Sequence, residues 1–217
     1  MDAGGQLYAE ELLLRLDDGD RVVAAGEFIE TIAIYPNLAS RIDWWVIENV
    51  FKRYSNAQHK KHINVSGGTL SKKGLSSRIK HLAGIYGCDI KTITVEITEQ
   101  LRIENYQEIL MIRAMGVDFS IDDFLTGHNS LRLLQNLHPH TIKIPGALTS
   151  QLSSQIGMVL TDAIIQVAAS LSISAIAESV ECEHTWTILK LLAAKHDCKL
   201  YGQGYLFGHP KPCEAFT

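Results

Sequence analysis

The sequence predicts an α/β fold in which parallel strands alternate with helical crossovers and close into a (β/α)8-type barrel. Three observations carry that expectation. Short β-like runs alternate with amphipathic helix-like runs along the chain, the pattern of parallel strands joined by helices. No Gly/Ser/Pro linker or low-complexity stretch interrupts the 217 residues, a length that suits one domain, residues 1–217, with one core. Strand after strand ends in a group fit for metal or phosphate chemistry.

In chain order, β-like runs are expected at 11–16, 62–66, 92–98, 118–124, 141–144, 174–178 and 199–205. Amphipathic stretches fall between them at 37–54, 104–115, 130–137, 158–171 and 183–196. In the first, Ile42, Trp45, Val46, Ile47 and Val50 recur at three- and four-residue steps, which puts them on one helical face. Gly116 stands where a helix C-terminus wants a residue free to take positive φ. The seven strands so counted fit neither architecture uniquely, since a closed barrel takes eight and a doubly wound sheet about five to seven.

The polar residues separate the two. Asn64, Glu96, the doublet Asp122-Asp123, Lys143, Glu178 and Gln203 each sit at or near the end of an apolar β-like run. In a parallel barrel the C-terminal strand ends meet on one face, whereas in an open sheet they spread along a line. Convergence favours the barrel. Carboxylates with one amide oxygen are hard donors, suited to Mg2+ or Mn2+ rather than zinc. In an Asp doublet one carboxylate can bridge two cations while its neighbour holds only the second. Two ions about 3.5–4 Å apart clamp the attacking and leaving oxygens of a phosphodiester. Lys143, on the next strand, suits orienting a water or offsetting phosphate charge.

Taken singly, each residue has an ordinary explanation: a strand-edge glutamate, a solvated Asp-Asp turn, a surface lysine, a glycine turn. Their recurrence at successive strand ends does not. An enolase-like barrel, with acids on one Mg2+ and a lysine base, explains Lys143 but leaves Asp123 and Asn64 without a task.

The bulk numbers exclude other classes. A net charge of −4 without a Lys/Arg stripe argues against DNA or RNA as a partner. No apolar run approaches the ~20 residues of a membrane span, and the N-terminus lacks a signal-peptide layout. A cytoplasmic domain without membrane contact is expected. Cys88, Cys182, Cys198 and Cys213 form no CxxC pair, so free thiols are expected.

These motifs resemble the EAL family of cyclic di-GMP phosphodiesterases. The matching segments are Glu11-Leu12-Leu13-Leu14-Arg15 (ExLxR), Ile63-Asn64-Val65-Ser66, Glu96-Ile97-Thr98-Glu99, Asp122-Asp123-Phe124, Thr141-Ile142-Lys143-Ile144, Ile176-Ala177-Glu178-Ser179-Val180-Glu181 and Gln203-Gly204-Tyr205-Leu206-Phe207-Gly208. The resemblance implies a distorted TIM-like barrel whose first strand runs antiparallel to the rest. It implies a two-metal site of Mg2+ or Mn2+, with Glu11, Asn64, Glu96 and Asp122 on one ion and Asp122, Asp123 and Glu178 on the other. Lys143 would hold the attacking water, with Glu178 or Lys143 aiding deprotonation. Glu99 would brace the loop after Asp123, and Glu181 would support the ligands from behind. Leu13, Arg15 and Gln203 would contact the dinucleotide, whose hydrolysis gives linear pGpG. Family members dimerise and are fused to sensor or GGDEF domains, so a homodimer and a longer multidomain parent join the expectations.

Three departures stand out against the family pattern. Met1-Asp2-Ala3-Gly4-Gly5 leads almost directly into the ExLxR strand, so the chain is expected to lack the antiparallel first strand and to expose strand edges. Leu125 takes a usual glycine position in the loop after the Asp doublet, where positive φ would strain it. Ser179 and Pro145 replace a usual glycine and aspartate. The leading expectation is an active phosphodiesterase. The alternatives are a receptor that binds without turnover and a protein-interaction module.

Overall fold

The computed structural model describes residues 1–98, 103, 105–127 and 129–213, apart from the side chains of residues 30 and 33. The chain divides into two compact units. The larger comprises Ala9–Ile121 and Gly127–Pro139, and the other Met1–Tyr8, Asp122–Thr126 and His140–Thr217.

In the larger unit the strands are β1 (Ala9–Leu12), β2 (Arg15–Asp17), β3 (Val22–Ala24), β4 (Lys60–Asn64), β5 (Ile93–Thr98) and β6 (Asp118–Asp122). The helices are α1 (Ile29–Ala33), α2 (Pro36–Arg53), α3 (Gly67–Leu70), α4 (Leu75–Tyr86), α5 (Tyr106–Ala114) and α6 (Ser130–Leu137). The hydrogen-bonded order is β1-β4-β5-β6, and β2 and β3 form a separate antiparallel hairpin. β1 pairs parallel with β4, placing Glu11 opposite His62, and β4 pairs parallel with β5, placing Asn64 opposite Glu96.

Side chains alternate across each strand, and the alternation sorts the chemistry. Ile63 of β4 and Ile93 and Val95 of β5 meet Ile47 and Phe51 of α2, Ile79 of α4 and Ile112 of α5 in the apolar core. On the opposite faces stand His62 and Asn64, Thr94 and Glu96, and Ser120. Lower on that face Lys60 forms an ion pair with Asp118. α2 begins on Pro36, whose fixed φ suits a first helical turn, and ends on Lys52 and Arg53, which favour its negative pole. The α4 N-terminus is satisfied from a distance: the Gly74 and Ser76 amides donate to the Glu108 carboxylate at 2.7 and 3.0 Å. Those bonds hold the Glu108 carboxyl below the usual carboxylate range.

The second unit holds β7 (Thr141–Ile144), β8 (Ser174–Ala177) and β9 (Leu200–Gly202), parallel and in that order. Its helices are α7 (Gly146–Thr149), α8 (Gln155–Ser170) and α9 (Glu183–His196). Ser154 caps α8 by accepting from the Gly157 amide at 3.0 Å. The N-terminal residues lie against β9: Asp2 bridges Tyr201 in antiparallel sense, and Met1 and Gly202 exchange both backbone bonds at 2.8 Å. The Tyr8 ring stacks on Tyr201 at 3.6 Å between centroids. The antiparallel partner expected from the resemblance is thus represented, among the described residues, by this single bridge.

The boundaries track the expectations closely where one chain segment decides them. α6 and α9 occupy 130–137 and 183–196 as read, and Gly116, at φ 105°, follows the end of α5. The expected strand at 11–16 is divided. β1 stops at Leu12 and Arg15–Asp17 pairs with β3 instead, so Arg15 stands on the hairpin and not on the sheet. Helix α4 had no counterpart in the reading.

Candidate metal centre

The second unit builds a compact acidic cluster around one buried lysine. β7 ends Thr141–Ile144, and its alternation turns Lys143 to the polar side, where it is 1% exposed. Its ammonium lies 3.1 Å from Asp122 Oδ1 and 2.7 Å from Glu178 Oε1. Backbone bonds place all three. The Phe124 amide donates to the Lys143 carbonyl at 3.2 Å, and the Glu178 amide to the Ile144 carbonyl at 3.2 Å. Asp122, Asp123 and Glu178 each direct one carboxylate oxygen to within 4.8 Å of the others. Three carboxylates against one ammonium leave the cluster net negative, and hard oxygen donors so disposed fit a divalent cation such as Mg2+ or Mn2+.

The backbone beside these ligands departs from ordinary regions. Asp123, Leu125 and Ser179 have φ of 50°, 69° and 52°. Leu125 therefore takes the conformation its glycine counterpart would hold without strain, and its side chain, 48% exposed, gains little burial in return. Ser179 Oγ lies where a Cβ on Gly146 would come within 2.3 Å, so its hydroxyl occupies the space beside that glycine. Gly204, next to Gln203, has φ 148° and a Cβ there would meet the Val180 backbone at 2.3 Å. Gln203 itself is half-buried, placed by its amide donating to the Ala177 carbonyl at 2.8 Å.

The larger unit carries a second set of polar residues. Asn64 Nδ2 donates to Glu11 Oε1 at 3.3 Å. Glu96 is 1% exposed and shares a 2.8 Å hydrogen bond with His62 Nδ1, itself 3% exposed. A buried carboxylate costs several kcal/mol unless partners compensate it, and His62 is one such partner for Glu96. His62 was not among the expected site residues. Its signal was present in the sequence: it stands two residues before Asn64 and so shares that residue's strand face.

The other expected residues are less convergent. Leu13 is 42% exposed beyond the end of β1, and the Arg15 guanidinium donates to the Leu14 carbonyl at 2.8 Å. Glu181 is exposed in the loop between β8 and α9, and among the described residues it bonds to none of the cluster. Glu99 lies outside the described residues.

Comparison with known proteins places the chain. The family model for the EAL domain matches residues 1–210. The chain belongs to the EAL domain family. Among curated proteins, the EAL domain is 31% identical over 225 residues to an uncharacterised protein of Mycobacterium tuberculosis, covering 97% of this chain and 35% of that one. It is 26% identical over 227 residues to the cyclic di-GMP phosphodiesterase NbdA of Pseudomonas aeruginosa, covering 98% and 28%. Among solved structures, the PaMucR phosphodiesterase in complex with c-di-GMP aligns with TM-score 0.82 at 25% identity, covering 95% of this chain and 86% of that one. The fold is the parallel α/β barrel-like fold of EAL domains. The chain spans about a third of the length of these curated relatives.

Proposed function

We propose that this EAL domain binds cyclic di-GMP and hydrolyses one of its phosphodiesters to linear pGpG, with Mg2+ or Mn2+. The observation that carries the reading is the buried Lys143 held between Asp122 and Glu178, with Asp123 completing three convergent carboxylates. On the motifs, Glu11, Asn64, Glu96 and Asp122 would hold one ion, and Asp122, Asp123 and Glu178 the other. Bound divalent ions supply positive charge to the phosphodiester and acidify a water. An ammonium between two carboxylates is a donor, so Lys143 orients the attacking water and offsets charge on the phosphate. Glu178 accepts the proton as the water oxygen attacks phosphorus. The bond to the 3′ oxygen breaks, and that oxygen takes a proton from solvent and leaves as a hydroxyl. Leu13, Arg15 and Gln203 contact the dinucleotide, Glu181 supports the ligands, and Glu99 steadies the loop that follows Asp123.

The length of the curated relatives supports a chain that works as one part of a longer protein; on the family resemblance, that protein is a cytoplasmic signalling protein fused to sensor or GGDEF domains and paired as a homodimer. The strained Leu125 favours one second reading, a receptor that holds cyclic di-GMP without turnover. The test is to incubate purified protein with cyclic di-GMP and Mn2+, following pGpG release and equilibrium binding in parallel. Release that disappears in Glu11→Ala supports the enzyme. Binding without product leaves the receptor, and neither signal leaves a protein-interaction module.

A further inference from the structure

A second charged site lies on the helical side of the larger unit, between α2 and the start of α4. It is a cavity of about 450 Å³, within the range of small-molecule pockets. Arg41, Lys72, Lys73 and Arg78 line it together with Ser40 and Trp44, and no carboxylate does. These are four of the chain's 20 Lys and Arg residues, gathered in a protein of net charge −4. Lys72 donates to Ser40 Oγ at 2.6 Å, and the Arg78 guanidinium stacks on the Trp44 ring at 3.7 Å from its centroid. Among the described residues, none of the four cations is ion-paired within 4 Å.

Two acids beside the cavity are already engaged. Asp43, behind Lys72, accepts from the Ser66 hydroxyl and amide. Glu108 accepts the Gly74 and Ser76 amides at the α4 N-terminus. Counting both, four positive charges less two leave a surplus of two, and that surplus comes from side chains because Glu108 has taken the helix amides. Holding four cations in one cavity is unfavourable by mutual repulsion, and an anion resident there would relieve it. Guanidinium groups match phosphate oxygens two at a time, and lysines add point charge.

We infer that this cavity is a binding site for a small molecule carrying two or more phosphates, separate from the Asp122-Asp123-Glu178 cluster. The inference does not rest on the phosphodiester reading. Inorganic pyrophosphate and ADP are the probes, titrated by calorimetry in EDTA so that no divalent ion bridges them to the acidic cluster. Saturable one-to-one binding in the millimolar range or tighter is expected, weakening as salt is raised. Arg41→Gln/Lys73→Gln weakens it by about tenfold or more, whereas Arg41→Lys/Lys73→Arg, which keeps four cations and two guanidinium groups, weakens it by less than the neutral pair does. All four positions are exposed, so both double variants should melt like the parent, which circular dichroism checks. ADP binding tighter than pyrophosphate would identify a nucleotide, and equal binding the free diphosphate. The proposal is overturned if neither probe saturates, or if Arg41→Gln/Lys73→Gln binds as the parent does. It also fails if an acidic peptide or anionic vesicles bind this face while both probes do not.

Discussion

The two sets of acids are built on opposite plans. In the second unit Asp122, Asp123 and Glu178 crowd around one ammonium and remain net negative, with only Lys143 buried to the point of losing water. In the larger unit Glu96 is sealed from solvent and hydrogen-bonded to the buried His62, while Glu11 accepts from Asn64 at the strand ends. The first arrangement gathers three carboxylates where a cation can be held. The second orients a carboxylate through a buried hydrogen bond before any ion is bound. A site of the first kind is sensitive in chemistry and tolerant in folding; one of the second kind is sensitive in both.

The largest expected effect separates the two. Asp122→Asn should lower pGpG release by on the order of a thousandfold while leaving the melting temperature near that of the parent. Equal losses of stability and activity would erase the distinction. His62→Ala should cost about 3–5 kcal/mol of stability, because it strands the Glu96 carboxylate in the interior. Chemical denaturation measures this, and a loss under about 1 kcal/mol would show that Glu96 has other compensation. His62→Ala should also weaken Mn2+ binding by about ten- to a hundredfold, if Glu96 is a ligand that His62 orients.

Glu108 extends the comparison to an acid with a purely structural task. Glu108→Gln should cost about 1–2 kcal/mol at neutral pH through loss of the α4 cap. Because the folded carboxyl has a lowered pKa, the cap's contribution is full above the ordinary glutamate range and is lost as pH falls through that lowered value. The gap between parent and variant should therefore close in acid, and a pH-independent gap would assign the loss to packing. The smallest effect concerns the loop after the Asp doublet. Leu125→Gly should raise stability by about 0.5–1 kcal/mol, since relief of the positive-φ strain exceeds the added freedom of the unfolded chain. If turnover rises as well, the loop limits activity in the parent.

Legibility in the sequence followed locality. Helices α6 and α9 were readable to their ends because their apolar spacing lies within one segment. Helix α4 has the same local spacing, with Leu75, Ile79 and Leu82 on one face, but no local start signal, for its N-terminal partner is Glu108, on another helix. The split of the 11–16 run also needed a partner the pattern could not name, namely β3. In the site, Asp122, Asp123, Lys143 and Glu178 were legible because each stands at or beside the end of a strand, and parallel strands bring such ends together. His62 was legible only by counting back along its strand. The cationic cavity was invisible, since Arg41 stands on α2 and Lys72, Lys73 and Arg78 lie around the start of α4.

Ser179 and Gly146 have a consequence for how this sequence can change. The Ser179 hydroxyl fills the space a Cβ at 146 would need, so the order of substitutions matters. A lineage could place serine at 179 only while 146 was glycine, and any side chain gained at 146 would first require 179 to retreat. Gly146→Ala and Ser179→Gly should then be non-additive, with the pair together less harmful than Gly146→Ala alone. Two positions, one opening α7 and one after β8, form one heritable unit, and a mutational path that ignores their order passes through a misfit.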